Sequence, residues 1–595
     1  MKIIRKGRAL AAFMLAAFVL ALGGCGEEPA GIGSESGAAS NASGTADNTD
    51  QAQAIRVGFG KKDITPELRV QLRGQNYDRI ASEVHDSLYA TAVAWESADS
   101  GMQAIVVSID NIVIDGTGLI EDVRDYVEGK LDGFSDVKNI LLFGTHIHTG
   151  PWLYDCDWSS SEQFETSGSE YYQYLVPRVG DAVLAAWNDR KEGSLSHIEG
   201  SAEVGWCRIV RYKDGKDEMY GSPLDSRFQE FTSGNNHRLN LLYCYQGDTL
   251  KGVLLNANTP FQSCETERQV SADITGRLRE RFPELSIIPI IGAAGDQSPY
   301  DLTKGDISSQ MGFARQKELG DRYADEIERY IEDGTAAKGK KSALVLAHNI
   351  RDITVDRTKS YGGNGLKIEL HAIRLGDMVL VNNPFELYID YGFAIKALSM
   401  APITWVGQLS SNYYNIAGDC TYLPTAYAEQ GEAYGSTNRQ VASEGGAQLV
   451  EQTVAFINEM FGSPETVMVS HTDEKAVYTG SWAKKQDSGA YGHTRTEVSE
   501  KGAAVEFTFT GTGVKWFDTA DTDKGIAEVY IDGQLAETVD EYNELLLYQS
   551  EMFRVTGLEN GEHTIRIVCT GEKRTSAAGS KVGVDFFVVE SQGSK

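Results

Sequence analysis

The chain has 595 residues, of which 41% are hydrophobic and 24% are charged, a composition typical of globular proteins that is sufficient for more than one core. Its formal net charge is −30 at pH 7. This acidic balance argues against nucleic acid as a partner and against electrostatic adhesion to anionic lipid, because both would repel it.

The first 24 residues resemble a secretory targeting element. A basic segment, 2–8, precedes an apolar run from Ala9 to Leu22 that is short for a membrane-spanning helix. Two glycines then lead to Cys25, a pattern similar to the bacterial lipoprotein signal, in which cleavage precedes a cysteine that receives lipid. We therefore expect a signal peptide over 1–24 and an extracytoplasmic lipoprotein held at the cell membrane by Cys25. A plain secretory signal is the alternative.

Residues 25–54 are rich in Gly, Ala, Ser, Asn and Asp and lack aromatic residues, which predicts a flexible linker. From 55 to 462, apolar runs at 104–110, 287–291 and 379–381 alternate with helical patterns. One such pattern extends from Leu319 to Ile331 and ends at an Asp-Gly pair. This alternation predicts an α/β domain. The six cysteines beyond Cys25 are too sparse for a disulfide scaffold.

A histidine pair, His146 and His148, follows the apolar run 139–144 and precedes a Gly-Pro turn. If the pair continues a strand, both side chains face the same side, because strand side chains alternate. Two imidazoles at a strand end can bind a metal ion or move a proton, although such histidines can also be purely structural.

Short alternating strands separated by Asp-Gly and Asn-Gly turns occupy 466–592, which predicts an all-β, jelly-roll-like sandwich. Segments such as 478–482 and 507–516 resemble galactose-binding or carbohydrate-binding sandwiches attached to bacterial surface enzymes. Trp482, Trp516 and Tyr491 could stack on a sugar ring, so a glycan is a candidate partner. The alternative, a core aromatic residue of the sandwich, is favoured for Trp516 and stays open for Trp482.

Five separated motifs together resemble the neutral, non-lysosomal ceramidases. Val-Gly-Phe-Gly-Lys-Lys-Asp-Ile-Thr-Pro at 57–66 is similar to the opening motif of that family, and His-Ile-His-Thr-Gly-Pro at 146–151 to its His-Thr-His-Ser-Gly-Pro signature. The other matches are Gly-Asp-Gln-Ser-Pro at 295–299, Asn-Pro-Phe-Glu at 383–386, and Tyr-Leu-Pro-Thr at 422–425 with Tyr434. Their order is that of the family. The resemblance implies a zinc-dependent hydrolase of N-acyl bonds, with ceramide the substrate of the best-known members.

The resemblance also implies roles for individual residues. His146, Glu386 and Tyr422 would bind Zn²⁺ or another divalent metal and leave a position open for water. Four residues would serve catalysis: His148 as proton carrier, Arg208 as oxyanion stabiliser, Tyr434 in orienting the substrate, and Ser298 as nucleophile or hydrogen-bonding group near the carbonyl.

One segment departs from the family, which has a second zinc-binding histidine in an Asn-x-Ala-Cys-His-Pro-like sequence. The corresponding stretch, 255–260, reads Leu-Asn-Ala-Asn-Thr-Pro. Either Asn258, Thr259, Cys264 or His148 compensates, or the metal is harder and prefers oxygen ligands, or catalysis has been lost.

Three functions follow from these patterns. The first is a metal-dependent hydrolase of an amide bond in an N-acyl lipid or glycoconjugate that need not be ceramide. The second is a cell-surface glycan-binding protein built on a hydrolase scaffold that has lost catalysis. The third is metal-free hydrolysis through Ser298 and His148, which is disfavoured because no Gly-x-Ser-x-Gly elbow surrounds the serine.

Overall fold

The computed structural model describes residues 52–112, 117–155, 164–414 and 422–592. The predicted signal peptide, Cys25 and nearly all of the linker lie outside the described residues. The first strand begins at Gln53, two residues before the predicted start of the hydrolase domain.

A nine-stranded central sheet organises the first part of the fold. The two outermost pairs in its order are parallel and the other ladders are antiparallel. Strand–helix alternation therefore does not build a parallel sheet of βαβ units here, because most neighbouring strands are antiparallel. In spatial order the strands are Ser286–Ile291, Thr249–Ala257, Arg238–Gln246, Lys191–Ser201, Gln53–Asp63, Tyr89–Ser97, Gln103–Ile109 and Ile140–Gly144, with Ala343–Leu344 paired to Gln53–Asp63.

A second, four-stranded sheet packs face to face against the central sheet. Trp95, Phe143 and Ile290 of the central sheet share one buried cluster with Leu380 and Trp405 of the second. The strands of the second sheet, in order, are Leu346–Asp356, Gly365–Leu375, Met378–Asn382 and Ile403–Gly407. Burial on both faces explains why several strands are continuous apolar runs without alternation.

Helices cover the outer face of each sheet, so the layers are helix, sheet, sheet, helix. The predicted helix around Leu319 is confirmed as Phe313–Glu332 with Asp333 at its end. The central sheet is covered by Leu119–Val127, Gly168–Asn188, Ile274–Arg281 and Phe313–Glu332, and the second sheet by Ile389–Leu398 and Ser443–Glu459. Shorter helices are Thr335–Lys338, Ala426–Glu429 and Tyr434–Thr437, with 3₁₀ turns at Val137–Asn139, Leu302–Lys304, Ile307–Gln310, Lys359–Tyr361 and Tyr491–His493.

Short strand pairs connect the loops at one edge of these sheets. They are Val70–Gln71 with Ile80–Ala81, Glu83–Val84 with Gln269–Val270, Trp206–Cys207 with Gln297–Ser298, and Glu386–Leu387 with Tyr422–Leu423. A small three-stranded sheet contains Asp217–Met219, Ile209–Tyr212 and Phe228–Phe231. The last three of these four strand pairs join segments that are far apart in the sequence.

The C-terminal part, which we call the C-terminal sandwich (464–592), contains antiparallel strands around a separate core that includes Phe507, Trp516 and Ile567. Its four-stranded sheet contains, in order, Glu465–Ser470, Phe586–Ser591, Gly513–Ala520 and Leu547–Val555. Its five-stranded sheet contains Ala476–Thr479, Ala504–Gly511, Gly561–Cys569, Ile526–Ile531 and Gln534–Asp540. A third sheet contains Ala483–Gln486, Thr494–Val498 and Val582–Val584. This sandwich belongs to the same compact unit as the central and second sheets with their helices, which we call the two-sheet part.

Among the helices within the described residues, none has both the length and the hydrophobicity needed to cross a bilayer. Cys207, Cys244, Cys264 and Cys569 are buried free thiols. The predicted absence of a disulfide scaffold concerns Cys156 and Cys420 as well, and these two lie outside the described residues.

Candidate active site

The loops that follow the parallel-paired strands meet at one edge of the two sheets. Backbone hydrogen bonds link them: Gln408 N donates to Ile291 O at 2.8 Å, Asn383 N to Gly407 O at 2.7 Å, and Gly144 N to Leu409 O at 3.2 Å. Because the carboxyl ends of parallel strands point to one edge, side chains just beyond them are brought together there. This topology gathers the predicted motifs at 146–151, 295–299 and 383–386.

The histidine pair lies in a loop and does not continue the strand. The strand ends at Gly144, and His146 has a left-handed backbone with φ of 60°. Its amide donates to the carbonyl oxygen of Asn111 at 3.0 Å. The two rings are 5.1 Å apart between centroids. The loop conformation, and not strand alternation, therefore brings the imidazoles together.

His148 is held by neighbours that are distant in the sequence. Arg79, fully buried, donates from Nη2 to the carbonyl oxygen of His148 at 2.6 Å. Gly74 passes so close that a Cβ there would lie 2.5 Å from Cγ of His148, and its φ is +121°. Only glycine suits both that conformation and that approach. The Glu265 carboxylate lies 3.5 Å from Nδ1 of His148.

The predicted metal ligands converge on His146. Nε2 of His146 is 3.8 Å from Oε2 of Glu386, and both side chains are buried. Glu386 is the register partner of Tyr422 in a short parallel pair. The Tyr422 hydroxyl accepts a hydrogen bond from Nη2 of Arg208 at 3.0 Å. Tyr434, 38% exposed, stands with its ring 5.5 Å from that of Tyr422, at the open side of this group.

Ser298 lies near this group, but its hydroxyl is engaged elsewhere. Arg208 also donates to the carbonyl oxygen of Gly295 at 2.7 Å, which fixes the segment that leads to Ser298. The Ser298 hydroxyl is buried and exchanges 3.3 Å hydrogen bonds with the backbone of Tyr300. Within the described residues it has no hydrogen bond to His148. A turn-stabilising role accounts for these contacts.

Burial and nearby guanidinium groups set the charges of the site. Burial lowers the pKa of His146 to about 3, and Arg208 and Arg73 lower it further. Burial lowers the pKa of His148 well below its ordinary value, and the positive charges around it act in the same direction. Both imidazoles are therefore neutral at pH 7, the form that can bind a metal or accept a proton. Burial also raises the pKa of Tyr422 well above its ordinary value, so it is a phenol at neutral pH.

Two of the candidate replacements near the substituted histidine position, Thr259 and Cys264, have other neighbours. The Thr259 hydroxyl donates to the carbonyl oxygen of Val204 at 3.0 Å, and Cys264 lies beside the Asp273 carboxylate, which accepts from its amide at 2.7 Å. Asn258 is buried beside Gly292.

The structure brings the carboxylate of Glu265 close to His148. Sequence reasoning missed Glu265. Glu265 is 6% exposed, and Oε2 accepts from Nε2 of Gln262 at 3.1 Å. Burial raises the pKa of Glu265, which Arg208 opposes. In the sequence it stands among several charged residues, so no local pattern distinguishes it.

These residues fit a divalent cation, although not as a complete preformed cage. Within the described ranges, no group of three or more His, Cys, Asp or Glu side chains is arranged to hold a metal ion. Nevertheless Nδ1 of His146 and both ring nitrogens of His148 are buried without a hydrogen-bond partner among the described residues. His146 and Glu386 face each other, and the Tyr422 oxygen keeps a lone pair beyond its bond to Arg208. The side chains that could supply ligands from this group are those of His146, Glu386 and Tyr422.

The aromatic residues of the C-terminal sandwich differ in exposure. Trp516 is completely buried in the core and donates from Nε1 to the carbonyl oxygen of Gly583 at 3.1 Å, which agrees with the favoured core role and excludes stacking on a sugar. Trp482 is partly buried against Tyr478, at 5.1 Å between centroids. Tyr491 is 39% exposed. Only the last two present aromatic surface to a ligand.

No known protein-family model matches the chain. Two proteins of Flavonifractor plautii match over short stretches. The A type blood N-acetyl-alpha-D-galactosamine deacetylase is 38% identical over 139 residues, 23% of this chain and 18% of that protein. The A type blood alpha-D-galactosamine galactosaminidase is 38% identical over 107 residues, 18% of this chain and 10% of that protein. The matches thus span less than a fifth of either relative.

Solved structures of ceramidases are similar over almost the whole chain. The neutral ceramidase from Pseudomonas aeruginosa has a TM-score of 0.53 at 15% identity and covers 91% of this chain and 100% of its own. A ceramidase complexed with C2 has a TM-score of 0.54 at 14% identity, covering 91% and 99%. This coverage exceeds the two-sheet part alone, so it extends into the C-terminal sandwich. The predicted resemblance is confirmed at the level of the fold: the chain has the fold of the neutral ceramidases.

Proposed function

We propose that the chain is a metal-dependent hydrolase of an amide bond in an N-acyl lipid or glycoconjugate. The observation that carries this proposal is the convergence of His146, Arg208, Glu386 and Tyr422 from four distant segments into one buried group. The similarity to ceramidase structures supports the fold that such a reaction uses, and the N-acetylgalactosamine deacetylase match supports an N-acyl substrate on a sugar. Both names belong to those relatives.

His146, Glu386 and Tyr422 would hold Zn²⁺ or another divalent cation. When bound, such a cation polarises an amide carbonyl and lowers the pKa of a coordinated water. Arg208 would stabilise the developing oxyanion through its guanidinium, which is already aimed at the Tyr422 hydroxyl. His148 is neutral and would accept the proton of the attacking water and pass it to the leaving amine. Tyr434, at the open side, would orient the substrate.

A second candidate is glycan recognition without catalysis. Two relatives with different reactions in their names share short stretches of similarity with this chain, which is more typical of a recognition module than of a catalytic centre. The replacement of the second family histidine, where Thr259 bonds to the backbone, also favours it. In that case Trp482 and Tyr491 would contact the sugar.

Metal analysis of the purified chain, combined with hydrolysis assays on an N-acylsphingosine and on an N-acetylgalactosamine glycoside, tests these alternatives. We expect about one divalent metal per chain and turnover that a chelator removes. Glu386→Gln should lower both metal content and turnover, whereas Glu284→Gln, at an exposed position, should change neither. Absence of metal and of turnover, with retained glycan binding, would favour the second candidate. Chelator-resistant turnover abolished by Ser298→Ala would assign catalysis to that serine.

We also propose that lipid on Cys25 anchors the protein at the extracytoplasmic face of the cell membrane. The apolar run and the small residues before this cysteine support the proposal. Membrane fractionation tests it, because Cys25→Ala should move the protein from the membrane fraction to the soluble one. Retention of that variant in the membrane would contradict the anchor.

A further inference from the structure

A cavity that is separate from the candidate active site lies at the junction between the two-sheet part and the C-terminal sandwich. Its volume is about 520 Å³, within the range of small-molecule sites. One side is formed by two strands of the central sheet and the helix Ile389–Leu398, and the other by the strands Gly513–Ala520 and Leu547–Val555. The candidate active-site residues described above do not line it, so it is a separate space.

A row of polar side chains enters this cavity from the central sheet. Arg238 and Asn240 alternate along one strand, and His197 and Glu199 along its neighbour, so all four side chains face the same side. The guanidinium of Arg238 already has partners, because it donates hydrogen bonds to Glu199 at 3.2 Å and to the carbonyl oxygen of Tyr548 at 2.8 Å. Asn240 is 2% exposed, and its Nδ2 has no hydrogen-bond partner among the described residues.

Lys396 enters the same cavity from the helix and is partly buried. Its ammonium group makes no hydrogen bond or ion pair with a described residue. Burial lowers its pKa to about 8, which the nearby Arg238 reinforces and Glu199 opposes. A cation removed from water without a counter-ion is destabilising, so a site that retains one favours an anion.

The acids around the cavity are already neutralised. Glu199 pairs with Arg238 at 3.2 Å. Burial lowers the pKa of His197 to about 4, so this imidazole is uncharged at neutral pH. The other acids of the lining also have cationic partners: Asp540 pairs with Arg574 at 2.9 Å, Glu551 with Arg554 at 2.8 Å, and Glu541 with Lys524 at 3.2 Å, an ammonium group that Asp518 shares. Lys396 is thus the cation left over within the described lining.

We propose that this junction cavity binds a small carboxylate-bearing ligand of the size of a sugar acid. Its carboxylate would accept from Lys396 Nζ and Asn240 Nδ2, the two donors without partners. Gln549 and Tyr542, which line the opposite side, would contact the rest of the ligand. Because the lining comes from both parts of the chain, an occupied cavity would also strengthen their attachment.

Calorimetric titration of the full chain with D-glucuronate, and with D-glucose as the uncharged counterpart, tests this proposal. We expect saturable binding of glucuronate only. Lys396→Met should weaken it by about tenfold or more, since hydrogen bonds to charged groups contribute on that scale. Lys251→Met, at an exposed position, is the matched control and should bind as the natural chain does.

Thermal unfolding provides a second measurement that does not depend on the proposed hydrolase activity. Without ligand, Lys396→Met should be at least as stable as the natural chain, because it removes a partly buried ammonium group that has no ion-pair partner among the described residues. With glucuronate, only the natural chain and the control should gain thermal stability. Equal binding by Lys396→Met, equal binding of glucose, or no saturable binding of glucuronate would overturn the proposal.

Discussion

His148 is buried, and neither ring nitrogen has a hydrogen-bond partner among the described residues, yet Nδ1 lies 3.5 Å from the Glu265 carboxylate. A carboxylate beside one imidazole nitrogen favours the tautomer that carries its proton there. It thereby leaves Nε2 free to accept a proton. Gly74 and Arg79 restrict the position of the same residue from the other sides. We interpret Glu265 as a positioning residue for His148.

The first prediction concerns Glu265→Gln in the proposed hydrolase. The amide keeps the shape of the side chain but removes the negative charge, so kcat/KM should fall about 10- to 100-fold while metal content stays unchanged. Steady-state kinetics and metal analysis measure the two effects. Glu267→Gln, two residues along, is the control and should retain activity. Full activity of Glu265→Gln would refute the positioning role, and loss of metal would identify Glu265 as a ligand instead.

Among the secondary-structure elements, the first strand and the helix Gly168–Asn188 approach each other unusually closely. A Cβ at Gly60 would overlap the carbonyl oxygen of Ala182 in that helix. Gly60, one of the two glycines of the opening motif, is therefore required by packing, because no side chain can fit between strand and helix at this point. The helix itself begins at a capping box formed by Ser167 and Glu170.

The second prediction is that Gly60→Ala destabilises the protein by about 1–3 kcal/mol through overpacking. Urea unfolding measures the change. Gly561→Ala provides the comparison, because a Cβ there meets its nearest atom at 3.9 Å and should have little effect. Equal stabilities of the two variants would show that strand and helix can separate without loss.

A buried relay links the second sheet to the helix Leu119–Val127. His348 Nε2 lies 2.9 Å from His371 Nδ1, and His371 Nε2 lies 2.9 Å from the Glu369 carboxylate. Glu369 also pairs with Arg124 at 2.8 Å. Because a carboxylate accepts only, His371 donates to Glu369 and accepts from His348. Burial lowers the pKa of both histidines.

The third prediction concerns acid stability. The folded-state pKa values of the two histidines are depressed, so below about pH 6.5 the unfolded chain takes up protons that the folded chain does not. Stability is therefore lost as pH falls, by up to about 1.4 kcal/mol per pH unit for each imidazole. Urea midpoints at about pH 7.5 and about pH 5 should therefore differ less in His348→Gln than in the natural chain. His85→Gln, at an exposed position, is the control and should leave the difference unchanged. An unaltered difference in His348→Gln would contradict this assignment.

Across the whole molecule, the C-terminal sandwich is attached to the two-sheet part by buried polar contacts. Lys515 is 2% exposed, and its ammonium donates to the carbonyl oxygens of Ala397 at 2.9 Å and Ser399 at 2.5 Å. These carbonyls lie at the end of the helix Ile389–Leu398, where helical partners are lacking. Burial lowers the pKa of Lys515 to about 7. One side chain of the sandwich thus completes a helix of the other part.

The fourth prediction is that the two parts unfold together in a single calorimetric transition. Lys515→Met should lower the unfolding temperature, because two buried carbonyl groups lose their donor at a cost of about 1–3 kcal/mol. Lys475→Met, at an exposed position of the sandwich, should leave it unchanged. Two separate transitions in the natural chain would show that the parts are independent.

Elements with a local signal could be predicted from the amino-acid sequence alone. The apolar runs at 104–110, 287–291 and 379–381 predicted strands that the structure has, and the spacing around Leu319 predicted a helix, because burial on one or both faces imposes a period on neighbouring residues. The sequence also identified His146, Arg208, Glu386 and Tyr422, through resemblance to a family and not through any local pattern.

Which of these side chains meet, and what surrounds them, depends on how the chain folds in three dimensions. The strand expected to continue through His146 stops at Gly144, and the hydroxyl of Ser298 turns to its own backbone. Arg79 and His148 are 69 positions apart, and nothing near either one encodes their contact. Such contacts depend on strand order and loop paths, which arise when distant apolar faces pack together, so they belong to the folded chain as a whole.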